Sequence, residues 1–184
     1  MILLNGPSSS GKSSIAKAIQ EQAQQPFLHI GIDKMIGMMP AKLNNWEGGF
    51  APEGFCWEGA IDAEGHSIQK LHVGPFAKKI NETYYEIVVS LARLGHYLVI
   101  DEVAFGAQAI GVWKEKLKGF NTLYVGIKTP LSILEQREKE RGDRILGSAR
   151  AQSMVVHQGV HYDLEFNSSQ SSPEEIAQEI LKHF

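Results

Sequence analysis

Gly6-Pro7-Ser8-Ser9-Ser10-Gly11-Lys12-Ser13 has the residue types and spacing of a phosphate-binding loop, G-x-x-x-x-G-K-[ST]. Glycine lets the backbone bend until successive N–H groups converge on phosphate oxygens. A helix opening at the loop's end, with Ser14 in its first turn, adds the partial positive charge of its N-terminus. Lys12 is long enough to reach the β- and γ-phosphates, and the Ser13 hydroxyl suits magnesium. The cofactors implied are ATP and Mg2+. Context makes the match specific: Met1-Ile2-Leu3-Leu4 reads as a buried strand, and Ile15, Ile19 and Ala23 recur at helical spacing. The competing reading is a serine-rich turn with an incidental lysine.

Two carboxylates stand where strands end. Asp33 closes Phe27 to Ile32, and Asp101 closes Tyr97 to Ile100. Ligands of a parallel sheet sit at its carboxyl edge, and strands ~4.8 Å apart put such a carboxylate ~5–10 Å from the loop. Asp101 is the candidate magnesium residue, with Glu102 as the alternative, and Asp33 is the candidate base for an attacking hydroxyl. The bland alternative is that each aspartate caps the helix after it. Arg137, Arg141 and Arg144 are spaced by four and three, and Arg150 follows. One arginine face suits a lid over about 137–150 that closes on phosphates. A solvated helix with Glu138 and Glu140 as ion-pair partners is the alternative. His157, His161 and Tyr162 have no further His or Cys to complete a metal site, so a structural role is expected.

These residues need a frame to position them. Strand and helix alternate along the chain, which predicts an α/β fold with a mostly parallel sheet flanked by helices. A short helix is expected over Lys34 to Met39, and Phe76, Ile80, Tyr84, Ile87, Val88, Leu91 and Leu94 trace a long one that Gly95 stops. Further helices are expected at Ile110 to Leu117 and from Pro130, with strands at Leu123 to Ile127 and Tyr162 to Phe166. Ser172-Pro173-Glu174-Glu175 has the pattern of a helix start. Residues of about 44–74 read as an irregular insert, with a hairpin turn at Asp62-Ala63-Glu64-Gly65. Met38, Met39, Trp46, Phe50, Phe55 and Trp57 are candidates for a pocket, or equally for core. The expectation is a single domain over 1–184.

Composition narrows the class. The chain has 184 residues and a formal charge of −3, so no broad cationic field favours nucleic acid. No apolar run approaches the ~20 residues that span a bilayer, and the cytoplasm is the expected compartment. The lone Cys56 excludes a disulfide within the chain. A GTPase would carry Asn/Thr-Lys-x-Asp after a strand, and Gly126-Ile127-Lys128-Thr129-Pro130 lacks it. The expected partner is a small molecule offering a hydroxyl. A nucleotide-hydrolysing ATPase module is the alternative.

Several blocks resemble the chloramphenicol phosphotransferase family in the family's own order. They are Leu4 to Ile15, Gly31-Ile32-Asp33 with Met38-Met39-Pro40, Asp101-Glu102-Val103, Arg141-Gly142-Asp143-Arg144, and Val155-Val156-His157-Gln158-Gly159-Val160-His161-Tyr162-Asp163. The resemblance implies a P-loop kinase fold and transfer of the ATP γ-phosphate to a primary hydroxyl of the antibiotic. It makes Asp33 the base and sets Arg137 at the start of the lid. Two stretches depart from the pattern: Phe50 to Val73, and Phe166-Asn167-Ser168-Ser169, where the family carries an Asp-Thr pair. An acceptor other than chloramphenicol, some other hydroxylated metabolite, is therefore the alternative.

Overall fold

A computed structural model of the chain describes residues 1–46, 49–142 and 145–184. Its frame is a five-stranded sheet in the order β2-β6-β1-β7-β8. The strands are β1 (Ile2–Asn5), β2 (Phe27–Gly31), β6 (Tyr97–Glu102), β7 (Leu123–Lys128) and β8 (Leu164–Asn167), and every pairing is parallel. The helices between them are α1 (Lys12–Gln22), α2 (Ile32–Ile36), α3 (Pro75–Arg93), α4 (Gly106–Lys116), α5 (Leu131–Arg141), α6 (Ser148–Ser153) and α7 (Pro173–Leu181).

The alternation of the strands builds two cores. Leu3, Leu98 and Ile100 point to one face and pack with Tyr84, Val88 and Trp113 of α3 and α4. Ile2, Leu4, Val99 and Val125 point to the other, against Ile15 and Ile19 of α1 and Ile176 and Ile180 of α7. Both faces are covered, which is why these strands read as continuous apolar runs. β1 lies centrally, paired with β6 as Leu4↔Asp101 and with β7 as Leu4↔Val125. The loop after β1 therefore opens between strand ends on both sides.

The stretch read as irregular is more ordered than its composition suggests. It holds a small sheet of β3 (Asn44–Asn45), β4 (Phe55–Ile61) and β5 (Ser67–Val73). The turn expected at Asp62 to Gly65 is its hairpin tip: Asp62 Oδ1 accepts from the Glu64 and His66 amides, and Gly65 takes φ 88. β4 buries Phe55 and Cys56 but leaves its far half exposed, so apolar periodicity was a weak signal there. Boundaries also shift elsewhere. α2 begins at Ile32, so Asp33 lies in a helix's first turn, α4 begins at Gly106, and β8 begins at Leu164. The capping box at Ser172 and Glu175 is formed in full.

Candidate active site

The phosphate loop is held open by fixed backbone. A Cβ on Gly6 would lie 2.6 Å from the Ile127 carbonyl oxygen, so no side chain fits against β7 there. Gly11 caps α1 at φ 92, and Ser9 adopts φ 64, a strained value for a residue with a Cβ. No side chain caps the N-terminus of α1, whose first amides face the loop. The Ser9 and Ser10 hydroxyls are buried without partners. Buried hydroxyls without partners beside a helix N-terminus are the chemistry that receives a polyphosphate.

Asn5, at the end of β1, fastens this loop from below. Its Nδ2 donates to the Ala104 carbonyl at 3.2 Å and to the Tyr162 hydroxyl at 2.8 Å, while its Oδ1 accepts from the Ala104 amide at 2.7 Å. Tyr162 is in turn hydrogen-bonded to His157 Nδ1 at 2.8 Å. The His157-to-Asp163 block thus braces the strand ends, in keeping with the structural role expected of His157 and Tyr162.

The catalytic-type side chains converge above the loop. Lys12 is buried, donates to the Pro7 carbonyl at 2.9 Å and stands 3.8 Å from Asp101 Oδ1. Ser13 Oγ donates to Asp101 Oδ2 at 2.6 Å. Burial alone would raise the Asp101 carboxyl, but Lys12, His29 and Ser13 outweigh it and hold it below the usual range. His29 Nε2, from β2, lies 3.4 Å from the same carboxylate. Glu102 is the other way round. Burial lifts it to about 7, and it accepts from the Val103 amide at 2.8 Å. Of the two carboxylates, Asp101 is the one that touches Ser13.

A cavity of about 960 Å³ runs from this loop to the insert. Asp33, from the first turn of α2, lines it and is exposed. Trp46, Phe55 and Trp57 line its far end, with Trp46 stacked on Phe55 at 5.8 Å. Three pocket candidates fall elsewhere: Met38 and Phe50 are exposed, at 70% and 87%, and Met39 belongs to a core cluster with Ile36, Phe55 and Ala77. Apolar type alone did not separate the wall from the outer surface.

The arginines divide by role. Arg137 Nη2 donates to the Ser168 carbonyl at 3.0 Å, and its Nη1 donates to Ser168 Oγ at 3.1 Å and the Ser9 carbonyl at 3.4 Å, so it lies across the phosphate loop. Arg141 is exposed and lines the cavity. Arg144 lies outside the described residues. Arg150 turns away from the loop: it donates to Glu135 at 2.7 Å and Asp62 at 3.1 Å. Glu138 is no surface ion-pair partner. It is buried and accepts from the Gly147 and Ala149 amides and the Ser148 hydroxyl, tying α6 to α5.

Sequence reasoning missed His29, Gln152 and Ser168. Gln152 Oε1 accepts from the Ser8 amide at 2.6 Å, bringing α6 onto the loop. A lone imidazole in the apolar strand Phe27–Gly31 was the available signal for His29. Ser168 sits in the stretch that departs from the family pattern.

The whole chain, residues 1–184, matches the family described as chloramphenicol phosphotransferase-like protein. Proteins of two Mycobacterium tuberculosis strains, CDC 1551 / Oshkosh and H37Rv, each named "Putative O-phosphotransferase", are 29% identical to it over 185 aligned residues, covering 100% of this chain and 81% of each relative. Among solved structures, a sugar kinase from Janibacter sp. HTCC2649 is similar in fold, with TM-score 0.68 at 14% identity, over 98% of this chain and 91% of that one. A gluconokinase from Sinorhizobium meliloti 1021 gives TM-score 0.63 at 17% identity, over 98% and 89%. With its full length inside the match, the chain belongs to the chloramphenicol phosphotransferase-like family, small-molecule phosphotransferases on a P-loop kinase frame.

Proposed function

We propose that this chain transfers the γ-phosphoryl group of ATP to a hydroxyl of a small alcohol, with a chloramphenicol-like antibiotic as the first acceptor to test. The observation that carries this reading is the shared cavity: phosphate loop, Ser13–Asp101 pair and Asp33 all open into one space with aromatic walls. In the reaction Asp33 accepts the proton of the acceptor hydroxyl, whose oxygen bonds to the γ-phosphorus as the β–γ bridging oxygen leaves with ADP. Loop amides and Lys12 hold the phosphates, and Arg137 offsets charge on the transferring group. Such a transition state is loose, so positioning and charge supply most of the rate.

Ser13 and Asp101 offer a hydroxyl and a carboxylate, the hard oxygen donors that magnesium prefers. Bound there, the metal would neutralise charge on the β- and γ-phosphate oxygens. Asp33 is exposed, so an acceptor seated over it also displaces the water that would otherwise compete for the phosphoryl group.

The test is ADP release from ATP in the presence of small alcohols, chloramphenicol among them. Acceptor-dependent release is expected, and release that ignores the acceptor would return the protein to the ATPase alternative. Asp33→Asn should lower transfer by ~10²–10⁴ and leave ATP affinity nearly unchanged. If ATP binding is lost with it, Asp33 serves the metal, and its role exchanges with that of Asp101.

A further inference from the structure

Tyr84, on α3, lines the cavity, yet its hydroxyl is buried and has no hydrogen-bond partner. A buried phenol left so is costly, and in folded proteins such groups nearly always find a partner. Its ring is fixed edge-on against Trp113, with centroids 5.4 Å apart at 83°, and beside Tyr85 at 6.2 Å. Glu102, Asp101 and Asp33 line the same cavity, and after burial their charges are the main influences that raise the phenol's pKa. Glu102 is fixed too, by the Val103 amide at 2.8 Å and the Trp113 indole. Trp113 therefore holds both groups in place on one wall, and the two do not bond to each other.

Resting on the phosphotransferase reading, we propose that Tyr84 and Glu102 form a second polar pole of the acceptor site, and that the acceptor carries, besides the hydroxyl that is phosphorylated, a second hydroxyl or an amine bonded to both. A hydroxyl accepts from Tyr84 Oη and donates to Glu102 in one position. An amine donates to both. An ether or ketone can satisfy only the tyrosine, and a carboxylate meets Glu102, Asp101 and Asp33 together. The pole thus selects diols and amino alcohols over monohydric and acidic alcohols.

The experiment measures kcat/KM with MgATP for matched pairs of aromatic alcohols that differ only in a second hydroxyl, chloramphenicol and its benzylic deoxy analogue among them. For the native protein the member with the second hydroxyl should be favoured by ~10²-fold, because the analogue leaves buried groups unpaired. In Tyr84→Phe, which removes only the unpartnered oxygen, that ratio should fall at least tenfold and through KM rather than kcat. Equal turnover of both members by the native protein, or a ratio that survives in Tyr84→Phe, overturns the pole and leaves the phosphotransferase reading standing. A uniform loss of kcat for both members marks Tyr84 as merely structural and also overturns it. Turnover of no alcohol overturns both readings together.

Discussion

Arg137 reaches the phosphate loop from a helix far along the chain, and Ser168 is what aims it. The Ser168 carbonyl and hydroxyl accept from separate guanidinium nitrogens, which leaves the fork lying over Gly11 rather than in solvent. A planar cation fixed in this way stabilises charge that develops on a transferring phosphoryl group more than charge already present in ATP. Arg137→Ala should therefore lower kcat by ~10²-fold while changing ATP affinity by only a few fold. Steady-state kinetics beside nucleotide titration separates the two, and equal losses in both would make Arg137 a simple nucleotide contact. Lys12, Ser13 and Asp101 were legible in the sequence, because covalent spacing puts the first two on one loop and strand pairing carries the third to it. His29, Gln152 and Ser168 were not: His29 meets Asp101 across 72 residues of chain, Gln152 meets Ser8 across 144 and Ser168 meets Arg137 across 31, and no local pattern reports such contacts.

Helix α6 is too short to hold itself, and Glu138 of α5 does the holding. Six residues make fewer than two turns, and isolated helices of that length are unstable in water. Glu138 takes the amides of Gly147 and Ala149 at 2.8 and 2.7 Å and the Ser148 hydroxyl at 2.6 Å. Glu138→Ala leaves these buried donors without an acceptor, which should cost about 2–4 kcal/mol in urea unfolding. Because α6 carries Gln152 onto the Ser8 amide, the same variant should also weaken nucleotide binding. A drop in stability without any change in nucleotide affinity would separate α6 from the loop. Read along the chain, Glu138 sits in a charged helical run and resembles any solvated glutamate. Its burial comes with the contacts of Gly147, Ser148 and Ala149, and those contacts have no periodic signature. The helices that cover the sheet were legible because each has an apolar face wide enough to show its period, as α3 does with Tyr84 and Val88.

At the scale of the molecule, the two walls of the cavity are latched together. Strands β4 and β5 supply Phe55, Trp57 and Leu71, and helices α5 and α6 supply Arg137 and Gln152. Arg150 joins them, bonded to Glu135 on one side and to the hairpin tip at Asp62 on the other. Beside it the Gln69 amide donates to the Gly147 carbonyl at 3.3 Å, and a Cβ on Gly147 would come within 2.9 Å of the Ser67 carbonyl oxygen. Gly147, at φ 92, is thus required both by its backbone and by the close approach of β5. Arg150 and the Gln69–Gly147 bond thus tie the hairpin of β4 and β5 to α5 and α6. This latch titrates. Hydrogen bonds from the His66 and Glu64 amides, with the Arg150 guanidinium, hold the Asp62 carboxyl below its ordinary value of 3.8 against the opposing effect of burial. A carboxyl with a lowered folded pKa binds protons more weakly in the native state. Its contribution is complete above the unfolded value and is lost as pH falls through the folded one. Asp62→Asn keeps the shape of the turn but not the charge, so the variant should be less stable than the native protein near neutrality. The gap between their urea midpoints should then close as pH is lowered below about 4. Curves that stay parallel across that range would show that the hairpin tip is held by its turn alone and that Arg150 carries no charge-dependent link between the walls.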